Sequence, residues 1–256
     1  MTVTHSKTIL ITGASGFLAT HIVKAFLQHA AAAEAVEGVD GIINTASPFQ
    51  TSEYAPRVSR VVITSSMAAV IDTESAHGIV AYAASKAVAE KAAWRYMETN
   101  TPDFSLTTIC PLMIYGPVEH HVSTMERLNT SAGDIYRLFN GSSTERPLAI
   151  LPVFADVRDV AQAYLSAFES EKGAGERFIF SSGGYTYQEV CDILRSVAPE
   201  VRDKVPIGQP GKYGSAVIKV SNDKAKTLLG ITVHTLQETV KDTAYSLLAL
   251  EEAFKG

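Results

Sequence analysis

A serine, a tyrosine and a lysine have the types and spacing that proton transfer to a carbonyl oxygen requires. Tyr82 and Lys86 stand four residues apart in the segment YAASK, and Ser66 closes the apolar segment VVITSS. Side chains four residues apart share one face of a helix, where an ammonium stabilises a phenolate and lowers a phenol's pKa from about 10. A serine hydroxyl can donate to the same oxygen. The three residues are candidates for acid catalysis during carbonyl reduction, although a surface tyrosine and a solvated lysine would show the same spacing.

A glycine-containing loop upstream could hold the source of the hydride. The segment Gly13-Ala-Ser-Gly16 follows an apolar, β-branched run and precedes a segment of helical periodicity that begins at Phe17. Glycines let the backbone turn tightly and approach a pyrophosphate, and the N–H groups of a helix start favour the anion. We expect a dinucleotide site here; the alternative is an ordinary strand-to-helix turn.

The elements that must position these side chains are strands that alternate with helices. Short apolar runs bounded by turn residues are typical of buried parallel strands, and apolar residues at helical spacing indicate amphipathic helices. The pattern predicts strands in Lys7–Thr12, Gly41–Ala46, Arg60–Ser65 and Ser105–Cys110, and helices in Phe17–His29 and Tyr82–Met97. This alternation is typical of an α/β protein with a Rossmann-type doubly wound parallel sheet.

The second half of the chain has looser periodicity and clearer helix starts. Thr186 and Glu189 have the spacing of a capping box, and Ser221 or Asn222 could cap a short helix that ends at Gly230. A last amphipathic helix is predicted for Leu236–Phe254. We expect a smaller α/β lobe at the C-terminal side.

The composition narrows the class of protein. A formal net charge of -5 disfavours a nucleic-acid-binding surface, and no apolar run reaches the roughly 18 residues of a membrane span. The sequence starts without the apolar core of a signal peptide. Its two cysteines, Cys110 and Cys191, lie apart in apolar segments, as in proteins of a reducing compartment. We expect a cytoplasmic protein without nucleic-acid or membrane partners.

Seven motifs resemble, in their order, those of the extended short-chain dehydrogenase/reductases. The resemblance is closest to the fungal NADPH-dependent aldehyde and ketone (methylglyoxal-type) reductases and the plant dihydroflavonol reductases, and it covers most of the chain. The motifs are TGASGFLA at 12–19, NTASPF at 44–49, VVITSSMAAV at 61–70, YAASKAVAEKAAW at 82–94, PLMIYGP at 111–117, DVRDVA at 156–161 and SNDKAKTLLG at 221–230.

The resemblance implies a role for each matching residue. Tyr82 would donate the proton, Lys86 would hold the nicotinamide ribose and tune Tyr82, and Ser66 would orient the carbonyl. Asp159 would serve a helix start rather than catalysis. The implied cofactor-binding residues are Gly13, Ser15, Gly16, Phe17, Leu18, Ala46, Thr64, Tyr82, Lys86, Pro111, Leu112 and Met113.

The resemblance also implies an activity and a division into domains. It implies an NADP-dependent oxidoreductase, with NADP(H) as cofactor, that reduces a small-molecule aldehyde or ketone and is a monomer or a homodimer. An NADP-binding Rossmann domain would occupy 1–116, with the 150–170 region returning to it, and a substrate-binding lobe most of 117–256. The alternatives are a sugar-nucleotide epimerase or dehydratase, which Val70-Ile71 disfavours because Tyr-Gly is usual there, and a non-catalytic dinucleotide-sensing regulator of the same fold.

Three connections, near residues 30, 50 and 72, are shorter than in the family. The first helix runs into LQHAAAAEAVEG, without a second strand or a basic segment that would select NADPH. The join between Ala46 and Arg60 is short for a parallel crossover, and so is the join between Ser66 and Tyr82. We expect that segments are left out of the sequence; a true deletion would instead make the first strand a bare sheet edge.

Two further sets of residues admit two interpretations. Glu119-His120-His121 could ligate a metal, but adjacent histidines point in different directions and no third ligand stands at helical spacing. We expect a polar loop there and no metal site. The side chains that could line a substrate pocket, or equally pack in the core, are Phe49, Met67, Tyr115 and Phe154.

Overall fold

The computed structural model describes residues 9–29, 40–45, 58–69, 80–145, 147, 152–214 and 220–255. The chain forms two compact units of three segments each. The first unit contains Met1–Leu112, Val160–Phe180 and Asn222–Ile231; the second contains Met113–Asp159, Ser181–Ser221 and Thr232–Gly256. The predicted NADP-binding and substrate-binding roles of the two halves stay predictions.

The described elements alternate as an α/β protein requires. The strands are β1 (Ile9–Thr12), β2 (Gly41–Asn44), β3 (Arg60–Thr64), β4 (Ser105–Pro111), β5 (Met113–Tyr115), β6 (Val153–Asp156), β7 (Arg177–Phe180) and β8 (Gly183–Gly184). The helices are α1 (Phe17–His29), α2 (Val80–Asn100), α3 (Thr130–Tyr136), α4 (Val157–Glu169), α5 (Tyr187–Val197), α6 (Asp223–Leu229) and α7 (Leu236–Ala253).

A parallel sheet of five strands, in the order β1-β2-β3-β4-β7, forms the centre of the first unit. Its middle strands are buried along nearly their whole length, as expected when helices cover both sides of a parallel sheet. In β2, a side chain at Gly41 would collide with the ring of Phe168, so this strand needs a residue without Cβ. The predicted α/β class with a parallel Rossmann-type sheet is confirmed.

Strand β1 lies at one edge of this sheet. Within the described residues β1 pairs only with β2, and the side chain of Leu10 is 46% exposed. The family pattern places a second strand directly after the first helix, whereas here the next strand described after α1 is β2, beside β1. The three short connections near residues 30, 50 and 72 fall in 30–39, 46–57 and 70–79, outside the described residues.

The second unit has its own small sheet and a helical layer. Strand β5 runs parallel to β6, and β8 pairs antiparallel with β6. Helix α7 packs against α5 and α3. The buried Asp156 at the end of β6 accepts hydrogen bonds from Arg158 and Thr239, and Arg158 also reaches Asp242 on α7. These charged contacts hold β6 and α7 together inside this unit.

Most predicted helices begin where the sequence placed them. Helix α1 has the predicted bounds, and Thr186 accepts a hydrogen bond from the Glu189 N–H at the start of α5. Of the two residues predicted to cap α6, Ser221 and Asn222, Asn222 is the N-cap residue, although its side chain makes no capping bond. Helix α7 has a full capping box, between Thr235 and Glu238, that the sequence analysis overlooked. No described helix is long and apolar enough to cross a membrane.

Candidate active site

Polar side chains tie together the carboxyl ends of the first three strands. The Thr12 hydroxyl donates to Asn44 Oδ1 at 2.6 Å, and the Thr45 hydroxyl donates to the Thr12 carbonyl at 2.5 Å. The Thr64 hydroxyl donates to the Asn44 carbonyl at 3.1 Å and accepts from the Tyr164 hydroxyl at 2.6 Å. In an open parallel sheet the crevice outside the carboxyl ends is where ligands bind. These bonds therefore fix the floor of the candidate site.

The glycine loop crosses this edge in an exposed turn. Gly13 has φ of 71°, which favours glycine, and its carbonyl accepts from the Gly16 N–H at 2.9 Å. A Cβ on Gly16 would lie 3.3 Å from the Gly13 oxygen, so the tight turn favours glycine there too. Helix α1 begins at Phe17, and its first N–H groups, which include that of Leu18, have no acceptor within the helix. An exposed loop with donors at a helix start fits a pyrophosphate.

Ser66 lies just beyond the end of β3, where the chain turns into the 3-10 helix Met67–Ala69. Its Oγ accepts from the Ala68 N–H at 3.1 Å, and its carbonyl accepts from the Ala69 N–H at 2.9 Å. A hydroxyl that accepts in this way keeps its own hydrogen for donation. The 3-10 helix contacts α2, so Ser66 lies at the junction of β3 and α2. Ser66 can therefore donate to a carbonyl oxygen bound there.

Tyr82 and Lys86 stand near the start of α2, one helical turn apart. The Lys86 Nζ lies 5.8 Å from the centre of the Tyr82 ring. The Tyr82 side chain is 55% exposed, whereas Lys86 is buried, and the loss of hydration lowers the pKa of Lys86. The structure thus brings an ammonium that has lost its hydration next to an accessible phenol.

The other predicted cofactor-binding residues are placed in different ways. Ser15 belongs to the exposed glycine loop, and Ala46 lies outside the described residues. Pro111 ends β4 and Leu112 is buried after it, both in the first unit, whereas Met113 opens β5 in the second unit. Their contribution to cofactor binding stays a prediction.

A buried carboxylate, Glu90, was overlooked by the sequence analysis. It stands one turn beyond Lys86 on α2 and is 5% exposed. Arg177 on β7 pairs with both of its oxygens, at 2.6 and 3.1 Å, and Ser65 donates to it at 2.5 Å. Burial raises the pKa of Glu90, but the hydrogen bonds and charge of Arg177 and the bond from Ser65 bring it below its ordinary value. Glu90 is therefore an ionised group next to the candidate catalytic residues.

One cluster in the second unit has the composition of a metal site, but its side chains already bond to protein groups. Asp156, Asp159 and His234 could together hold a metal ion. However, Asp156 accepts from Arg158 and Thr239, and Asp159 accepts from Ser182 and pairs with His234. The cluster is therefore explained as a hydrogen-bonded network. Burial raises the pKa of Asp159, and the bonds from His234 and Ser182 oppose this.

Core packing explains the candidate pocket residues of the second unit. Phe154 is buried, and the Tyr115 hydroxyl donates to Asp134 at 2.7 Å and contacts the Tyr185 hydroxyl at 3.0 Å. Burial, with the neighbouring Tyr185 and Asp134, raises the pKa of Tyr115. Met67 lies in the 3-10 helix after Ser66, and Phe49 is outside the described residues. No described residue of 119–121 belongs to the cluster of possible metal ligands.

Known proteins are similar in sequence to most of this chain. The NADPH-dependent methylglyoxal reductase of Saccharomyces cerevisiae is 34% identical over 244 residues, which cover 85% of this chain and 70% of the relative. A cinnamoyl-CoA reductase of Medicago truncatula is 30% identical over 263 residues, which cover 86% and 77%. The 244 aligned positions outnumber the residues of this chain that they cover, so the yeast relative has residues without a counterpart here. No protein-family profile matches.

A solved structure shares the fold over nearly the whole chain. The crystal structure of a yeast methylglyoxal/isovaleraldehyde reductase complexed with NADPH has a TM-score of 0.76 and 27% identity to this chain. The match covers 96% of this chain and 99% of that one.

Proposed function

This chain belongs to the extended short-chain dehydrogenase/reductase family, and from that membership we propose that it uses NADPH to reduce aldehydes or ketones to alcohols. The predicted family is confirmed, and relatives named as NADPH-dependent reductases confirm the predicted enzyme class and cofactor. The substrate is a small molecule that carries a carbonyl group. The predicted monomer or homodimer and the predicted cytoplasmic location stay predictions.

The observation that carries the proposal is the pairing of Lys86 with Tyr82 on α2, beside the turn that holds Ser66. NADPH, when bound, supplies a hydride to the carbonyl carbon. The Tyr82 hydroxyl donates its proton to the carbonyl oxygen as negative charge develops there. The phenolate that forms is stabilised by the Lys86 ammonium, which in turn gains a counter-charge in its buried position. Ser66 donates a hydrogen bond that orients the carbonyl and stabilises its charge.

The glycine loop supports the cofactor part of the proposal. Gly13 and Gly16 lie in an exposed turn, and because glycine has no side chain, a ligand can approach the backbone closely there. The N–H groups at the start of α1 carry a partial positive charge that favours a bound anion such as a pyrophosphate. Phe17 and Leu18 would line this turn. Thr64 would act through its backbone, because its hydroxyl is already bonded to the Asn44 carbonyl and to the Tyr164 hydroxyl.

Replacing Tyr82 with phenylalanine tests the mechanism. We expect Tyr82→Phe to lower kcat for methylglyoxal reduction by about 100-fold or more, because the proton donor is lost. The measurement is NADPH oxidation followed by absorbance, together with the quenching of protein fluorescence by NADPH. Tyr96→Phe, on the same helix but stacked on Phe104, is the matched control and should keep the wild-type kcat. An unchanged rate in Tyr82→Phe would contradict the proposed mechanism.

A further inference from the structure

The carboxylate of Glu90 is the meeting point of the elements that carry the three candidate catalytic residues. Tyr82, Lys86 and Glu90 follow one another at four-residue spacing, so they share one face of α2. The strand that delivers Ser66 also reaches this carboxylate, because the Ser65 hydroxyl donates to Glu90 Oε2 at 2.5 Å. One carboxylate therefore connects the helix of Tyr82 and Lys86 with the chain segment of Ser66.

Glu90 is held from several directions, which fixes where it can bind Ser65. Arg177 binds it through Nε to Oε1 and through Nη2 to Oε2, a two-point contact that sets the plane of the carboxylate. Thr108 on β4 donates at 3.2 Å, and Trp94 on α2 donates at 3.3 Å. The Cys110 thiol lies 3.8 Å from Oε2. The acceptor offered to Ser65 is thus fixed in both place and orientation.

Ser65 is also held through its backbone. The Ser65 N–H donates to the Ile109 carbonyl on β4 at 2.9 Å, which continues the sheet pairing by one residue. That bond ties Ser65 to β4, whereas the bond to Glu90 ties it to α2. Both contacts are made by Ser65, the residue before Ser66, so a rotation at Ser65 would move the turn that carries the Ser66 hydroxyl beside α2.

We propose that Glu90, held by Arg177, is a positioning residue that aligns Ser66 with the Tyr82–Lys86 pair through the hydroxyl of Ser65. The proposal rests on the proposed reductase activity and adds to it a group that contacts neither substrate nor cofactor. The two hydroxyls that donate to Glu90 allow a matched test: Ser65 adjoins Ser66, whereas Thr108 lies within β4. If Glu90 were only structural, removing the Ser65 hydroxyl and removing the Thr108 hydroxyl would have the same effect on kcat.

The experiment compares Ser65→Ala with Thr108→Val, each of which removes one hydroxyl donor from the same carboxylate. We expect Ser65→Ala to lower kcat roughly tenfold, less than the loss of a direct donor to the oxyanion, with KM for NADPH unchanged. We expect Thr108→Val, which leaves the two-point contact of Arg177 with Glu90 in place, to lower kcat far less than Ser65→Ala does and to lower mainly the melting temperature. Because Ser66 does not titrate, the loss in Ser65→Ala should be the same factor across about pH 6 to 9. Ser65→Thr, which restores a hydroxyl, should recover part of kcat.

The outcomes separate this inference from the proposed function. Equal kcat values for Ser65→Ala and Thr108→Val, or a loss that follows the fall in melting temperature in both variants, would overturn the positioning role. A loss in Ser65→Ala that changes with pH would also overturn it, because it would indicate altered charge on Tyr82 or Lys86 rather than a misaligned Ser66. Wild-type protein and Tyr82→Phe are measured in parallel, and an inactive wild type would contradict the reductase activity itself.

Discussion

At the scale of single residues, some groups of the candidate site could be predicted from the sequence and others could not. Tyr82 and Lys86 could be predicted because both lie in one helical turn, and Ser66 because it closes an apolar strand. Glu90 has the same helical spacing, yet its meaning depends on Arg177, which is 87 residues away in the chain. No local sequence pattern predicts such a pair, because it forms only when β7 pairs with β4.

The Glu90–Arg177 pair should be visible in the stability of the protein. We expect Arg177→Met to lower the free energy of unfolding by about 2 kcal/mol at neutral pH, because it leaves a buried carboxylate without its cation. The effect is smaller than the roughly 3–5 kcal/mol of a fully buried pair because the Arg177 side chain is 37% exposed. Urea unfolding followed by circular dichroism measures it, with Arg95→Met, an exposed arginine of α2, as the control.

The same pair gives that loss a pH dependence of known sign. Arg177 and Ser65 bring the pKa of Glu90 below its ordinary value of 4.5, so its stabilising contribution is full above that value and is lost as the pH falls through the folded-state pKa. In Arg177→Met burial is no longer offset, so the carboxyl takes up a proton more readily. The difference in stability between wild type and variant should therefore shrink as the pH is lowered from 7 to about 4. A difference independent of pH would show that Glu90 is not the affected group.

At the scale of elements, the sequence predicted the residues at several helix ends but not always the bonds that those residues make. Thr186 caps α5 as its spacing with Glu189 predicts. Asn222 was expected to cap α6, but both polar atoms of its side chain are buried without a hydrogen-bond partner among the described residues. Gly230 ends α6 in the left-handed conformation, as its position predicts. Sequence shows which residues are able to cap; packing decides which do.

The capping box of α7 offers a test at this scale. Thr235→Ala removes the oxygen that accepts from the Glu238 N–H, and it should lower the free energy of unfolding by about 1 kcal/mol. Glu238→Gln keeps a side chain that can reach back to the Thr235 N–H, so its loss should be smaller. Chemical denaturation of the two variants gives both values. The reverse order of the two losses would mean that the Glu238 charge, rather than the Thr235 cap, stabilises the start of α7.

At the scale of the whole chain, alternating apolar runs and helices predicted the parallel sheet but not the order of its strands. Pairing is set by contacts distant in sequence. Among the described strands, the two edges of this sheet are β7 and β1, the strand that carries the glycine loop. Within the aligned region, the yeast relative has residues that have no counterpart in this chain. This agrees with the short connections seen in the sequence. The division into two units likewise follows from tertiary contacts, because each unit gathers three separate segments.

The edge position of β1 leads to a prediction about association. An edge strand offers backbone groups to other chains, and natural proteins often block such edges with lysine. Leu10, on β1, is partly exposed, so Leu10→Lys should reduce concentration-dependent association, as measured by sedimentation velocity over a tenfold range of concentration. Leu27→Lys, which replaces an exposed leucine of α1, controls for the added charge. Equal reductions in both variants would point to net charge and not to the strand edge.

The segmented build of the first unit also has a consequence for how the protein is made. The chain passes from one unit to the other five times, and the last segment of the first unit, Asn222–Ile231, follows two segments of the second unit. Strands β1 to β4 and helix α2 therefore emerge from the ribosome well before β7 and α6 are synthesised. During that interval Glu90 has no Arg177 to pair with and the open side of β4 has no β7, so the emerging polypeptide cannot complete this sheet until β7 has been made.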